Sequence, residues 1–298
     1  MAHSRRTEAA LSARLSVVTV PVLTDNYAYV AYDPATRRAA VVDAGDGEAV
    51  LSTVRELQLS VDRILCTHHH ADHVDGVRQL RDAFPAAAVQ ATDERVALAT
   101  DLVAHNHTTM LGPHVQIRTL LVPCHTRRSA AFVLSDVGEA RGADGNTQKQ
   151  ANADTDADAH SAVFVGDTLF VGGCGRFFEG HAADLYSAMF DTLFALPPRT
   201  LMYCGHEYAE ANLRFALSLE PDNGRVSEMA ARVAARRDQR LPTVPQLLHD
   251  ELLYNPFARC RERGIAKRLG FVEWSATDRN THIAVLDQLR TMRNSFAT

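Results

Sequence analysis

Five ionisable side chains fall within six consecutive positions of this chain, and this feature constrains its fold more than any other. They follow the apolar segment Ile64–Cys66, which predicts a strand, and they are His68, His69, His70, Asp72 and His73. Packing so many imidazole and carboxylate groups together costs free energy unless a cation binds there. A polar loop or a set of hydrogen-bonded core histidines therefore explains the pattern poorly. Histidine nitrogen and aspartate oxygen are the ligands that zinc and similar divalent ions accept.

The spacing of these residues favours two ions rather than one. In a turn that leaves a strand, His68 and His70 can face one ion, while Asp72 and His73, one step further, can face another. His69 would point away between them. A catalytic metal needs about three protein ligands and an open position. Further ligands must therefore come from elsewhere in the chain.

Three downstream segments each offer one isolated ligand at a predicted strand end or turn. They are His125 in Pro-Cys-His-Thr, Asp167 in Gly-Asp-Thr and His206 in Cys-Gly-His-Glu. Taken singly, each is explained as well by a turn residue or a helix cap. Together with the histidine-rich turn they make seven candidate ligands, a number that suits two metals sharing one carboxylate.

Longer strings around these residues resemble the metallo-β-lactamase superfamily and, within it, the glyoxalase II (hydroxyacylglutathione hydrolase) family. The resemblance covers nearly the whole chain except the first dozen residues and residues 136–160. It is carried by Asp25-Asn26-Tyr27, Thr67–His73, Val122–Thr126, Gly166–Phe170, Gly173–Phe177, Cys204–Tyr208 and Tyr254–Phe257.

This resemblance implies an α+β fold with two domains. An αββα metallo-β-lactamase-like sandwich over residues 1–190 would bind the metals. A smaller, mainly helical substrate-binding domain over residues 191–298 would follow and contribute His206. By resemblance, one ion would be held by His68, His70 and His125 and the other by Asp72, His73 and His206. Asp167 would bridge them, and Asp72 and Asp167 are the expected catalytic carboxylates.

The implied reaction is hydrolysis of the thioester of S-D-lactoylglutathione, or of S-D-lactoyltrypanothione, to D-lactate and free thiol, as in methylglyoxal detoxification. Two divalent ions would lower the pKa of a shared water and supply a bridging hydroxide near neutral pH. Zinc is the expected metal, with iron or manganese as alternatives, since imidazole and carboxylate accept all three. No serine or cysteine nucleophile is needed, and none of the motifs supplies one.

The substrate-binding residues implied by the resemblance leave the thiol carrier open. Arg176 stands where the family usually has lysine, Phe178 replaces a tyrosine, and Tyr208 keeps an aromatic hydroxyl. Arg290 and Arg293, on adjacent helical turns, fall about where glutathione users hold the glycine carboxylate. They are explained equally well as a solvated helix face. A trypanothione user would lack this clamp, because its carrier has amidated glycine carboxylates.

Other functions remain as alternatives. A glutathione persulfide dioxygenase with a single iron would not need Asp72 and His206 as part of a second site, and it usually lacks a long helical tail. A metal-dependent nuclease of the same fold should show a basic surface. A non-enzymatic metal-binding protein would take up metal without turnover.

Composition and charge limit the partners and the cellular compartment that we expect for this protein. The net charge is −5, from 31 basic and 36 acidic side chains, so nucleic acid is not an expected partner. No apolar run approaches the roughly 18 residues that span a bilayer, which argues against a membrane span. Five widely spaced cysteines indicate a reducing compartment. We therefore expect a cytoplasmic monomer acting on a small molecule. The arginine-containing first 15 residues are interpreted as a frayed terminus, with mitochondrial targeting as the less favoured alternative.

Short strands alternating with helices are predicted up to about residue 204, and helices beyond it, including one over residues 244–253. Residues 136–160 are rich in Gly, Ala, Asn and Asp. They predict a flexible, solvated insertion that joins two adjacent strands.

Overall fold

Two β-sheets face each other in the computed structural model, which describes residues 3–138 and 161–296. The first sheet has seven strands, in the order β1 to β7. They are β1 (Thr7–Ser12), β2 (Leu15–Val22), β3 (Asn26–Tyr32), β4 (Arg38–Val42), β5 (Ser60–Leu65), β6 (Ala88–Ala91) and β7 (Asp101–Leu102). The strands from β1 to β4 pair antiparallel, whereas those from β4 to β7 pair parallel.

The second sheet has six strands, in the order β15-β14-β11-β10-β9-β8. They are β8 (Thr108–Leu111), β9 (Val115–Leu121), β10 (Ala130–Asp136), β11 (Ala162–Gly166), β14 (Leu201–Cys204) and β15 (Gln246–Leu247). A separate hairpin pairs β12 (Leu169–Phe170) with β13 (Gly173–Cys174). Only β11 and β14 run parallel in the second sheet.

Strands β2, β3 and β4 of the first sheet are buried on both faces, which explains why they are largely apolar. Along β2, Val17 belongs to the core between the two sheets, while the next residue, Val18, belongs to a core beneath the helices. This alternation is the period-2 pattern of a strand. The outer core includes Val50 and Leu80 from two helices of the first half of the chain.

The helices form two groups. The first group comprises α1 (Gly47–Glu56), α2 (Ala71–Val74) and α3 (Val77–Ala83). The side chain of Asp46 caps α1 by accepting from the backbone N–H groups of Glu48 and Ala49. The second group comprises α4 (Ala182–Tyr186), which continues as a π-helix over Ser187–Leu193, then α5 (Ala209–Leu219), α6 (Gly224–Asp238), α7 (Glu251–Tyr254), α8 (Arg263–Arg268) and α9 (Arg279–Ser295).

These layers confirm the expected α+β, αββα architecture, with a helical C-terminal region. The division into two domains at residue 190 stays a prediction. Two strands beyond that residue, β14 and β15, pair within the second sheet.

No helix among the described residues is long and apolar enough to cross a membrane.

Two local predictions are wrong. The N-terminal segment is not frayed, because β1 pairs with β2 and Arg6 forms an ion pair with Glu56. The helix predicted over residues 244–253 is replaced by β15, a 3₁₀ turn at Leu248–Asp250 and the short α7. The apolar residues of that segment pack at the edge of the second sheet instead of following a helical period.

The insertion joins two adjacent strands, as predicted, since β10 and β11 pair antiparallel. Most of it, residues 139–160, lies outside the described residues. Its first residue, Asp136, ends β10 and accepts a hydrogen bond from Ser12 at 2.7 Å.

Candidate metal centre

The candidate ligands gather where parallel strands end. The carboxyl ends of parallel strands meet at one edge of a sheet. In the first sheet β4 ends before Asp43 and β5 before Thr67–His73. In the second sheet β11 leads into Asp167 and β14 into His206, while His125 lies in the loop between β9 and β10. All seven residues expected as ligands meet between these loops.

The first group of donor atoms contains His68, His70 and His125. Nε2 of His68 lies 3.1 Å from Nδ1 of His70, and Nε2 of His125 lies 3.0 Å from the same atom. Three imidazole nitrogens therefore converge on one point, which is the arrangement that a divalent ion requires.

The second group contains Asp72, His73 and His206. Nε2 of His206 lies 3.4 Å from Nε2 of His73 and 3.4 Å from Oδ2 of Asp72. Oδ2 of Asp72 is 3.6 Å from Nε2 of His73. The donors of this group also face one another, at slightly longer distances than those of the first.

Asp167 lies between the two groups. Its Oδ2 is 3.5 Å from Nε2 of His125 and 3.3 Å from Nε2 of His206, so one oxygen adjoins both groups. Its Oδ1 is buried without a hydrogen-bond partner and lies 3.4 Å from Nε2 of His73. A buried carboxylate oxygen without a partner is costly unless a cation binds it. This residue therefore fits a carboxylate shared by two ions, and the two groups fit a binuclear centre.

Outer hydrogen bonds fix which nitrogen each histidine presents. Nδ1 of His68 contacts Thr67 Oγ1 at 3.0 Å, and Nδ1 of His125 contacts the backbone oxygen of Arg176 at 3.0 Å. Nδ1 of His206 contacts Asp25 Oδ1 at 2.8 Å. Such partners set the tautomer and leave Nε2 free for a metal. Asp25 belongs to the sequence motif, but its role was not predicted.

Asp43 is a site residue that the sequence reading missed. Its carboxylate accepts from the Thr67 backbone N–H at 2.8 Å and from the Thr67 hydroxyl at 2.7 Å, and it contacts Nδ1 of His73 at 2.9 Å. A single aspartate after a strand has no distinctive pattern. The sequence pointed to Asp43 only through its position directly after β4. This strand pairs parallel with β5, which precedes the histidine-rich turn.

We expect Asp43→Asn to weaken metal binding by about 10- to 100-fold, the usual effect of losing an outer-shell partner. The amide would donate to Nδ1 of His73 and move the imidazole proton to Nε2, where the metal should bind. Asparagine tolerates the left-handed backbone of Asp43, whose φ is +52°. The measurement is metal content after dialysis against a weak chelator.

The matched control is Asp33→Asn. Asp33 is also a buried aspartate and contacts His114 at 3.1 Å, outside the metal centre. The Asp33→Asn variant should retain the metal content of the unaltered protein. Full occupancy in Asp43→Asn would contradict the role given to Asp43.

Gly205 gives the ligands room to approach. A Cβ at this position would lie 2.4 Å from Oδ1 of Asp167 and 2.8 Å from Cε1 of His73. Neither atom can withdraw without leaving the centre. Any side chain here would therefore separate Asp167 from the second group.

Electrostatics stabilise the charged form of the carboxylates. Burial raises the pKa of Asp167, but the neighbouring His206 and His73 outweigh it and hold that pKa well below its ordinary value. A hydrogen bond from His206 and the charge of His73 lower the pKa of Asp72 despite burial. Burial lowers the pKa of His68 and His125. Ionised carboxylates and neutral imidazoles are the forms that bind metals, so His73 and His206, whose pKa values Asp167 raises despite burial, would each release a proton to a metal.

His69 takes no part in either group of donors. Its Nδ1 lies 3.4 Å from Oδ2 of Asp93, and its ring contacts that of His70 with centroids 4.9 Å apart. The structure thus separates this histidine from its neighbours, in agreement with the spacing argument.

Three of the expected substrate-binding residues lie beside the ligands. The exposed ring of Phe178 contacts the rings of His70 and His125, with centroids 5.7 and 5.1 Å away. The ring of Tyr208 stacks on His206 at 4.8 Å, and burial raises its pKa to about 12. Arg176 is exposed and offers its backbone oxygen to His125.

Arg290 and Arg293 do not form a solvated helix face. Arg290 is 7% exposed, and its Nη1 donates to the backbone oxygen of Cys174 at 2.8 Å. Arg293 donates from Nη2 to Asn212 at 3.3 Å, while its Nε is buried without a partner. The two guanidinium groups thus differ, because the structure gives Arg290 an internal partner and leaves Arg293 with a donor to spare.

A buried polar network ties the helical region to the hairpin of β12 and β13, and the sequence reading missed it. Glu251, fully buried, accepts from the Gly172 backbone N–H at 2.9 Å, from Asn255 Nδ2 at 2.8 Å and from the Tyr254 hydroxyl at 2.6 Å. Asn255 also donates to the Gly173 backbone oxygen at 2.9 Å. Strand β13 of this hairpin leads directly to Arg176, whose carbonyl orients His125.

Comparisons with known proteins agree with this geometry. Residues 23–135 match the model of the metallo-beta-lactamase superfamily, and residues 207–296 match that of the hydroxyacylglutathione hydrolase C-terminus. The chain is 38% identical over 257 residues to the cytoplasmic hydroxyacylglutathione hydrolase of Arabidopsis thaliana, covering 86% of this chain and 92% of the relative. The chain belongs to the hydroxyacylglutathione hydrolase family. A relative of that name from Alkalilimnicola ehrlichii is 37% identical, covering 92% of this chain and 96% of its own.

Solved structures support the fold of this family member. A metallo-beta-lactamase from Staphylococcus aureus superposes with a TM-score of 0.56 at 17% identity, covering 95% of this chain and 72% of its own. A B3 metallo-beta-lactamase superposes with a TM-score of 0.54 at 19% identity, covering 81% and 98%. At these identities the similarity concerns the fold alone.

Proposed function

We propose that this hydroxyacylglutathione hydrolase family member hydrolyses thioesters of the S-D-lactoylglutathione type to D-lactate and free thiol. The observation that carries the proposal is the meeting of two groups of donor atoms at Asp167 in a chain of this family. A single-iron persulfide dioxygenase would leave the complete second group of Asp72, His73 and His206 without a purpose.

The residues would share the work as follows. His68, His70 and His125 would hold one ion, Asp72, His73 and His206 the other, and Asp167 both. Bound there, two divalent ions supply Lewis acidity and a nucleophile at neutral pH. Asp72 and Asp167 keep their negative charge through the histidines around them. The thiolate leaving group, with a thiol pKa of roughly 8.5, needs no dedicated acid.

The metal is expected to be zinc, with iron or manganese as alternatives. Five imidazoles and two carboxylates suit all three ions, and the donor set contains no thiolate that would favour a softer metal. The neighbouring cysteines do not compete, because burial raises the pKa of Cys204 to about 12 and of Cys174 to about 11.

Glutathione is the thiol carrier that the arginines favour. Arg176 is exposed and Arg293 is half-buried, so both would be available to pair with a glycine carboxylate. Arg290 would act indirectly, by holding the backbone of Cys174. Tyr208 and Phe178 would line the same side. A polyamine-linked carrier such as trypanothione is the alternative.

The test is hydrolysis of S-D-lactoylglutathione compared with the lactoyl conjugate of bis(glutathionyl)spermidine, using one metal-loaded preparation. We expect a kcat/KM for the glutathione thioester at least about tenfold higher, the usual worth of a charge-assisted contact. Preference for the spermidine conjugate would contradict the glutathione assignment, and hydrolysis of neither would contradict the proposed function.

The compartment, the oligomeric state and the domain division are proposed together with the function. A cytoplasmic monomer fits the five buried free cysteines and the cytoplasmic name of the Arabidopsis relative. The division into a metal-binding domain over residues 1–190 and a helical substrate-binding domain over 191–298 is part of the same proposal. The C-terminal match to residues 207–296 supports it.

A further inference from the structure

The metal centre opens to solvent at two of its ligands, and an exposed apolar residue stands beside each. Five of the seven ligand residues are buried, whereas His70 and Asp72 are partly exposed. Phe178, 60% exposed, contacts the ring of His70. Leu23, 48% exposed, lies close to the backbone of Asp72. Large exposed apolar side chains at the mouth of a site indicate a surface that a ligand covers.

Gly45 lies between Leu23 and Asp72 and shows how close the two residues are. A Cβ on this glycine would lie 3.2 Å from Cδ1 of Leu23 and 2.0 Å from the backbone oxygen of Asp72. The leucine side chain and the ligand backbone therefore border the same small residue. Leu23 thus lies near the backbone of Asp72, one member of the second ligand group.

The loop that carries Leu23 is attached to the ligands. Residues 23–25 join β2 to β3, and Asp25 in this loop contacts His206. The next residue, Asn26, donates from Nδ2 to Oδ2 of Asp72 at 2.8 Å. These two contacts fix the loop against the second group, so the side chain of Leu23 has a defined place at the opening.

The backbone of Leu23 is strained. Its φ is +51°, in the left-handed region that a leucine side chain disfavours. An exposed leucine in this conformation contributes little to folding, while glycine or asparagine would fit the backbone better. Strained residues of this kind cluster at binding and catalytic sites.

We propose that Leu23 is a specificity-determining residue that contacts the apolar part of the acyl group. This inference rests on the proposed thioester hydrolysis. Leu23 and Phe178 bound the opening beside Asp72 and His70, so an acyl group whose carbonyl lies at the metals would extend between them. Thioesters with a large apolar acyl group should gain more from Leu23 than the small, polar lactoyl group does.

The experiment compares two α-hydroxyacyl thioesters, S-D-lactoylglutathione and S-D-mandeloylglutathione, in which the methyl group of the first is replaced by a phenyl ring in the second. Both are assayed with the metal-loaded full chain, with Leu23→Asn and with Leu98→Asn. Leu98 is the matched control, because it is 40% exposed with a φ of +68°. It lies in the loop between β6 and β7 and takes part in none of the contacts described for the ligands.

We expect Leu23→Asn to lower kcat/KM about fivefold for the mandeloyl thioester, mainly through KM, and to change the lactoyl value less than about twofold. Its Tm should stay within about 2 °C or rise, since asparagine adopts the left-handed region readily. Leu98→Asn should leave both kinetic values unchanged.

Equal losses on both thioesters, no loss on either, or the same loss in Leu98→Asn would overturn the role of Leu23 while leaving the hydrolase function intact. A lower Tm without a change that depends on the acyl group would show a merely structural role. If the unaltered protein hydrolysed neither thioester, the proposed function itself would fail, and this inference with it.

Discussion

Asp167→Ala should lower turnover of S-D-lactoylglutathione by at least about a hundredfold and remove at least one metal ion per chain. Loss of an outer-shell partner already costs about 10- to 100-fold in affinity or activity, and Asp167 adjoins both donor groups directly. Its removal leaves the first group with three imidazoles and the second with Asp72, His73 and His206, with no shared ligand. The measurements are elemental analysis of the purified variant and its initial rate.

The matched control for this variant is His69→Ala. His69 lies in the same turn as four of the candidate ligands, but it belongs to neither donor group and its Nδ1 faces Asp93. It should keep both ions and most of the activity. If Asp167→Ala retained near-normal activity, the two-metal centre would be wrong. If His69→Ala lost both ions, the assignment of ligands within the turn would be wrong.

Glu251→Ala should destabilise the protein by about 3 to 5 kcal/mol and lower its Tm by about 10 °C. The change leaves the Gly172 N–H, the Asn255 amide and the Tyr254 hydroxyl without their acceptor in a fully buried place, at about 1 to 3 kcal/mol for each such group. Urea unfolding monitored by circular dichroism measures the effect.

Glu251→Gln is the conservative counterpart, because its amide oxygen can accept from Gly172 and Asn255 while its NH₂ donates to Tyr254. It should stay within about 1 kcal/mol of the unaltered protein at low pH. Stability equal to that of Glu251→Ala would show that the amide cannot replace the hydrogen bonds of the neutral carboxyl group, and would contradict this prediction.

The pH dependence of stability supplies an independent check on Glu251. Burial raises the pKa of Glu251 from 4.5 to about 7. The folded state therefore binds this proton more tightly than the unfolded state does, and stability falls as pH rises between these two values. Relative to Glu251→Gln, the unaltered protein should lose about 3 kcal/mol between about pH 4.5 and 7. Parallel pH profiles of the two proteins would contradict this.

That the candidate ligands come together could be predicted from the sequence, because the signal is local. His68, His70, Asp72 and His73 lie in one turn after a strand, and the motifs around His125, Asp167 and His206 follow other strands. The positions of these strands were also predictable, since their apolar runs fill buried places on both faces of a sheet.

The supporting residues could not be predicted in the same way. Asp43 and Glu251 act on partners that are distant in sequence, 24 to 79 residues away. A lone aspartate or glutamate has no periodicity that marks such a role. Leu23 is recognisable only once its backbone conformation and its place beside Asp72 are known. The N-terminal β1 was missed because its short polar sequence becomes a strand by pairing with β2.

We expect this protein to hydrolyse a glutathione thioester only when two ions are held around Asp167. The most direct measurement is a titration of the metal-stripped protein with zinc, with the initial rate of S-D-lactoylglutathione hydrolysis followed at each addition. Activity should rise until two equivalents are bound per chain, and it should return to baseline when a chelator removes them. Full activity at one equivalent, or hydrolysis that persists without metal, would contradict the two-metal centre.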